Sequence, residues 1–111
     1  MTDHPDVTQV GILAAELLGE ANRNGARRTA RTLVTGPAQR ATLIALAEGA
    51  ELAEHDSPPA ATLYVVTGSV RLHTHDREWV LGSNDLTAIP PERHGLTALT
   101  DSVVLLTVAL R

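Results

Sequence analysis

Between residues 6 and 19 the apolar residues Val10, Leu13, Ala14 and Leu17 recur at helical spacing, with Leu18 adjoining. That spacing predicts one short amphipathic helix, with Asp3 or Asp6 available near its start. After the polar stretch "GEANRNGARR" the period shortens. Segments rich in Val, Leu, Ile and Thr follow, separated by Gly, Pro, Asn and Asp, which is the pattern of an all-β domain. About eight strands are expected, over residues 26–35, 39–47, 51–55, 62–67, 70–75, 78–81, 86–89 and 96–110, the last interrupted near Asp101.

The connections have physical causes. Gly36 and Pro37 turn the first pair, Asp76 and Arg77 close a hairpin, and "GSND" makes a further turn. Pro58 and Pro59 lack backbone donors, so no central strand runs through them. The last run, "VVLLTVAL", is apolar on both faces and should be covered on both, as an interior strand or at a subunit contact. The helix is expected to lay its stripe over a sheet edge or an open barrel end, giving a helical segment over 1–25 and a β domain over 26–111 within one unit.

The 111 residues suffice for one domain with its own core. No apolar run approaches membrane-spanning length, and the N-terminus lacks a basic region ahead of an apolar one, so a cytoplasmic protein is expected. Cysteine and lysine are both absent, which removes thiolate and Schiff-base chemistry and leaves His, Asp and Glu as metal ligands. The formal charge of −4 is the wrong sign for a phosphate-neutralising surface, and one helix without a second makes no helix-turn-helix. Nucleic acid is therefore not an expected partner. Tyr64 and Trp79 are the only aromatic residues, so stacking platforms have little to be built from and the core must be aliphatic.

Two segments carry candidate chemistry. In "GAELAEHDSPPAATLYVVTG", Gly49, His55 and Gly68 are spaced as in G-x5-H-x-H-x3-E-x6-G, with Ser57 at the second histidine position and Ala61 at the glutamate position. In "NDLTAIPPERHGLTA", Pro90 and His94 resemble G-x5-P-x-G-x2-H-x3-N. Here Asn84 and Glu92 stand at the glycine positions, Ala98 at the asparagine position, and the loop before His94 is one residue shorter. Asn is the non-glycine residue most tolerant of a left-handed turn. On these residues the chain resembles the small single-domain cupins, from about Gly49 to Ala98. The resemblance implies an all-β, cupin-type jelly-roll β-barrel or sandwich preceded by one short N-terminal α-helix. It also implies a divalent metal held by two histidines and a glutamate of the first motif with the histidine of the second. Only His55 and His94 carry over, and they are expected to face each other across the barrel mouth.

Three protein ligands are the usual minimum for a catalytic metal site, so no tightly held metal is expected, the alternative being a weakly held Zn, Fe, Mn or Ni ion on His55 and His94. The expected pocket is marked by His55, Ser57, Ala61, Leu63, Arg93 and His94, with Val65 adding to its apolar wall. Arg93 could offer its guanidinium to an anion at the mouth, or be neutralised by Glu92. His73 and His75 share one face of a strand, which alternation with Val70, Leu72 and Thr74 turns outward. Tyr64 is expected to point away from the pocket, Trp79 to anchor packing, and Arg23, Arg27, Arg28 and Arg31 to form a solvated face or pair with carboxylates. Two functions follow from these residues: a carrier, sensor or accessory protein binding a small, largely apolar molecule, expected as a homodimer, or an enzyme. The enzyme would be a metal-dependent dioxygenase or isomerase, or an acid-base catalyst using His55 and His94.

Overall fold

The computed structural model describes residues 7–55 and 60–110, and for Glu54 and His55 the backbone alone. One helix, α1 (Val10–Arg23), precedes nine strands: β1 (Arg28–Thr35), β2 (Gln39–Leu46), β3 (Glu51–His55), β4 (Ala60–Thr67), β5 (Ser69–His73), β6 (Glu78–Gly82), β7 (Leu86–Ala88), β8 (His94–Ala98) and β9 (Ser102–Ala109). The strands form two antiparallel sheets, a five-stranded one in the order β1-β2-β9-β4-β7 and a four-stranded one in the order β3-β8-β5-β6. Alternation decides the inner faces. Ile44, Leu46, Leu63, Val65 and Val104 of the first sheet meet Val70, Leu72, Leu81, Leu96 and Ala98 of the second in one aliphatic core. The architecture is a sandwich of two separate sheets rather than one closed ladder.

The expected last strand is cut at Asp101 into β8 and β9, which belong to different sheets. As the central strand of its sheet, β9 buries Val104 in the inner core and Val103 in a second cluster beneath the helix, so the run that is apolar on both faces is covered on both here.

The helix departs from expectation in two ways. It runs on to Arg23 instead of ending near Gly19, because Ala21 is fully buried and makes one more contact with the sheet. The Arg23 guanidinium folds over the space that Gly19 leaves open. The helix also lies on the outer face of the five-stranded sheet, where Ala14, Leu17 and Ala21 pack on Leu43, Ala45 and Val103, and not over a barrel end. Its N-cap is Gln9, without a side-chain cap; the expected cap residues Asp3 and Asp6 lie outside the described residues.

Two turns hold residues in the left-handed region. Asn84 has φ 72°, as its place in the second motif anticipates, and the Tyr64 hydroxyl donates to its Oδ1 at 2.7 Å on the outer face. Gly68 has φ 96°, and a Cβ there would lie 2.3 Å from Ser102 Oγ and 2.4 Å from the Asp101 carbonyl oxygen. Only glycine fits that position. The arginines of the polar segment serve the fold's exterior: Arg31 pairs with Glu20 at 3.6 Å, and Arg28 donates to the Glu51 carbonyl. Among the described residues no helix is long and apolar enough to cross a membrane.

Candidate functional site at His94

The interior is packed solid at one end and slightly open at the other. Towards the start of β8, Ile44, Leu52, Leu63, Leu72, Ile89, Leu96 and Leu106 surround a hollow whose one described polar lining residue is His94. Its free space is about 20 Å³, enough for a single water molecule and far below the volume a drug-sized ligand needs. A ligand of several heavy atoms therefore enters only if the partly exposed rim residues Leu52 and Leu106 move aside.

His94 is 4% exposed at the first position of β8. Its Nδ1 lies 3.0 Å from the backbone carbonyl oxygen of Glu92, an atom that can only accept, so Nδ1 carries the hydrogen. In the neutral ring Nε2 then holds the lone pair. The shortened loop after Ile89 produces this bond: Ile89 and Pro90 are buried, Glu92 turns the chain, and two residues later His94 enters the sheet. Gly95 follows because the neighbouring strand leaves no room. A Cβ there would stand 2.7 Å from His73 Cε1 and 3.0 Å from the Leu52 carbonyl oxygen.

The structure brings together some of the residues singled out in the sequence and separates others. His55 and His94 are register partners on β3 and β8, so they stand side by side on adjacent strands of one sheet, not across a mouth from each other. The crossed arrangement fails because the two histidine-bearing strands, β3 and β8, pair directly in the four-stranded sheet. Leu63 lines the hollow. Ala61 does not: it lies two residues nearer the strand end and borders a shallow groove with Pro37, Ala38 and Ala109 at one end of the five-stranded sheet. Val65 sits in the solid part of the core, fully buried. Arg93 is exposed beside the loop, and Ser57 lies outside the described residues. Sequence reading missed Ile44, Leu52, Leu72, Ile89, Leu96 and Leu106; alternation marks most of them as inward but not which of them border free space.

The four-ligand metal set of the resemblance does not fit this chain. Ala61 offers no donor, and among the described lining residues every neighbour of His94 is aliphatic, with no carboxylate to balance a divalent charge.

A second polar group lies outside the hollow, at the tip of the β5–β6 hairpin. One donor atom each from His75, Asp76 and Glu92 lies within 4.8 Å of the others. Arg77 already occupies Glu92, its Nη2 standing 2.6 Å from Oε1, and its guanidinium carbon lies 5.3 Å from the centre of the Trp79 ring. The Thr74 hydroxyl donates to Asp76 at 3.2 Å. The paired histidines of "HTH" thus part company, with His73 against Gly95 and His75 exposed beside Asp76.

No protein-family model matches the chain, and no curated protein matches it. Solved structures do. The chain is similar to an RmlC-like cupin from Shewanella frigidimarina, at 24% identity over 78% of this chain and 79% of that one, with a TM-score of 0.70. It is also similar to the conserved protein of unknown function SPY1581 from Streptococcus pyogenes, at 22% identity over 79% and 78% of the two chains, with a TM-score of 0.71. A third likeness is to KdgF from Halomonas sp., at 22% identity over 79% and 83%, with a TM-score of 0.68. The fold is that of the cupins.

Proposed function

We propose that this cupin-fold protein binds a small, largely apolar molecule in the hollow beside His94, without a tightly held metal. The observation that carries the reading is a nearly buried imidazole in an aliphatic lining, its tautomer set by the Glu92 carbonyl. Such a site anchors one polar atom of a ligand and surrounds the remainder with hydrocarbon. A hydroxyl suits it, since a hydroxyl donates to the Nε2 lone pair. The role is that of a carrier, sensor or accessory subunit.

Butanol, cyclohexanol and cyclohexanol's ketone are suitable probes. The expected result is a rise in melting temperature with the alcohols, a smaller one with the ketone, and loss of the difference in His94→Leu. Elemental analysis of the protein as purified supplies the opposing outcome: one equivalent of Zn, Fe, Mn or Ni that disappears in His94→Leu would overturn the metal-free reading.

The register of His55 against His94 favours a second reading, an acid-base catalyst in which these two histidines share a proton. Turnover of any substrate that survives replacement of both histidines by alanine would remove it.

A further inference from the structure

We propose that Arg77, Trp79 and Glu92 form an external clasp that positions His94, so that a surface ion pair on the hairpin tip steadies the main-chain acceptor that holds the hydrogen on Nδ1. The inference rests on the reading of that hollow as the working site. Its residues lie outside both cupin-like motifs except Glu92, which stands where the motif has glycine.

The chain of contacts is short and continuous. Trp79 pairs with Leu72 across β5 and β6 and packs against the core, so its ring is fixed from below. Arg77 lies over that ring at 5.3 Å and reaches the Glu92 carboxylate at 2.6 Å. Glu92 presents its backbone carbonyl to His94 Nδ1 at 3.0 Å. One residue therefore holds the loop from outside through its side chain and the imidazole from inside through its main chain. A glycine at position 92 could do the second but not the first, and would leave the carbonyl on a backbone free to turn. The loop so held begins at Ile89, which itself lines the hollow, so both ends of the clasped segment are walls of the site.

The ion pair is exposed, with side-chain accessibilities of 58% for Arg77 and 39% for Glu92, so the clasp is weak and screened by salt. Weakness suits a positioning device, because one hydrogen bond's geometry needs only a modest bias. Arg77 is a positioning residue and touches nothing in the hollow.

The test is nitrogen-15 spectroscopy of the imidazoles in the full-length protein without ligand. In the native chain His94 should show a protonated Nδ1 and an unprotonated Nε2. Arg77→Ala should speed exchange of the Nδ1 proton by about fivefold, the size expected of an exposed ion pair reinforced by one ring contact. Glu92→Ala should match it and Arg77→Lys should restore part of the protection. Sodium chloride at about 1 M, where the Debye length is about 3 Å, should act on the native protein and leave Arg77→Ala unchanged. A His94 signal identical in the native chain and Arg77→Ala, with both folded by circular dichroism, would overturn the clasp. A clasp that responds as expected while no alcohol binds leaves this inference standing and removes the binding reading instead.

Discussion

At one end of the sandwich Leu46, Val65, Val70 and Val104 have no exposed surface, while at the other Leu52 and Leu106 keep part of theirs around His94. The same strands build both ends. The difference lies in what closes them. At the solid end β4 turns directly into β5 through Gly68, and the buried Ser102 hydroxyl donates to the Thr100 carbonyl at 2.8 Å and accepts from the Ser69 amide at 3.1 Å. At the His94 end the aliphatic layer stops short and a polar ring takes its place. Burial is most complete where the backbone is pinned, and the proposed binding site lies where packing is incomplete.

The largest effect is expected from Gly68→Ala. The new methyl group meets Ser102 Oγ at 2.3 Å, the Asp101 carbonyl oxygen at 2.4 Å and Ser102 Cα at 2.7 Å, on a backbone with φ 96°. Strain in the left-handed region together with overpacking should cost about 4 kcal/mol. That is a large part of the total for a small domain. Urea denaturation measures it, and a loss below about 1 kcal/mol would mean the solid end is less rigid than its burial implies.

Gly95→Ala should cost less, about 2 kcal/mol, because one of its two clashes is with a side chain. The His73 ring can swing away, whereas the Leu52 carbonyl oxygen at 3.0 Å belongs to the neighbouring strand. In a His73→Ala background the penalty should fall by about half. An equal penalty in both backgrounds would put the whole cost on the β3 backbone. The pair of glycines thus compares the two ends directly: at Gly68 two of the three close atoms are backbone on a left-handed residue, whereas at Gly95 the two closest belong to a movable ring.

Much of this contrast is invisible in the sequence, for definite reasons. Period-two alternation identifies the inward set Val70, Leu72 and Thr74, and it sends His73 and His75 outward, as found. Motif spacing locates His94 in the interior and Asn84 in a left-handed turn. Neither signal carries sheet assignment, so nothing in the chain announced that β3 and β8 are neighbours and that His55 and His94 are register partners. The helical spacing of apolar residues fades after Leu18, while the burial of Ala21 that carries the helix on to Arg23 is tertiary. The Arg77, Trp79 and Glu92 contacts join residues up to fifteen positions apart and follow no period. Free volume is the hardest quantity to foresee, since it depends on how several side chains meet and not on which face each occupies.

Leu106→Ala is the smallest perturbation and the one that addresses function. Leu106 lines the hollow, is partly exposed, and pairs with Leu63 across β4 and β9. Truncating a half-buried leucine beside existing free space should cost about 1 kcal/mol, against the 2 to 5 kcal/mol, roughly, of a leucine in a sealed core. The removed methyl groups add their volume to a space that is now only about water-sized. A six-carbon alcohol that must displace Leu106 in the native chain would find part of that room already made. Its stabilising effect on the melting temperature should therefore rise in Leu106→Ala while the variant's own stability falls. A loss of about 3 kcal/mol with no gain in probe binding would show that this end is packed as tightly as the other, and the contrast between them would disappear.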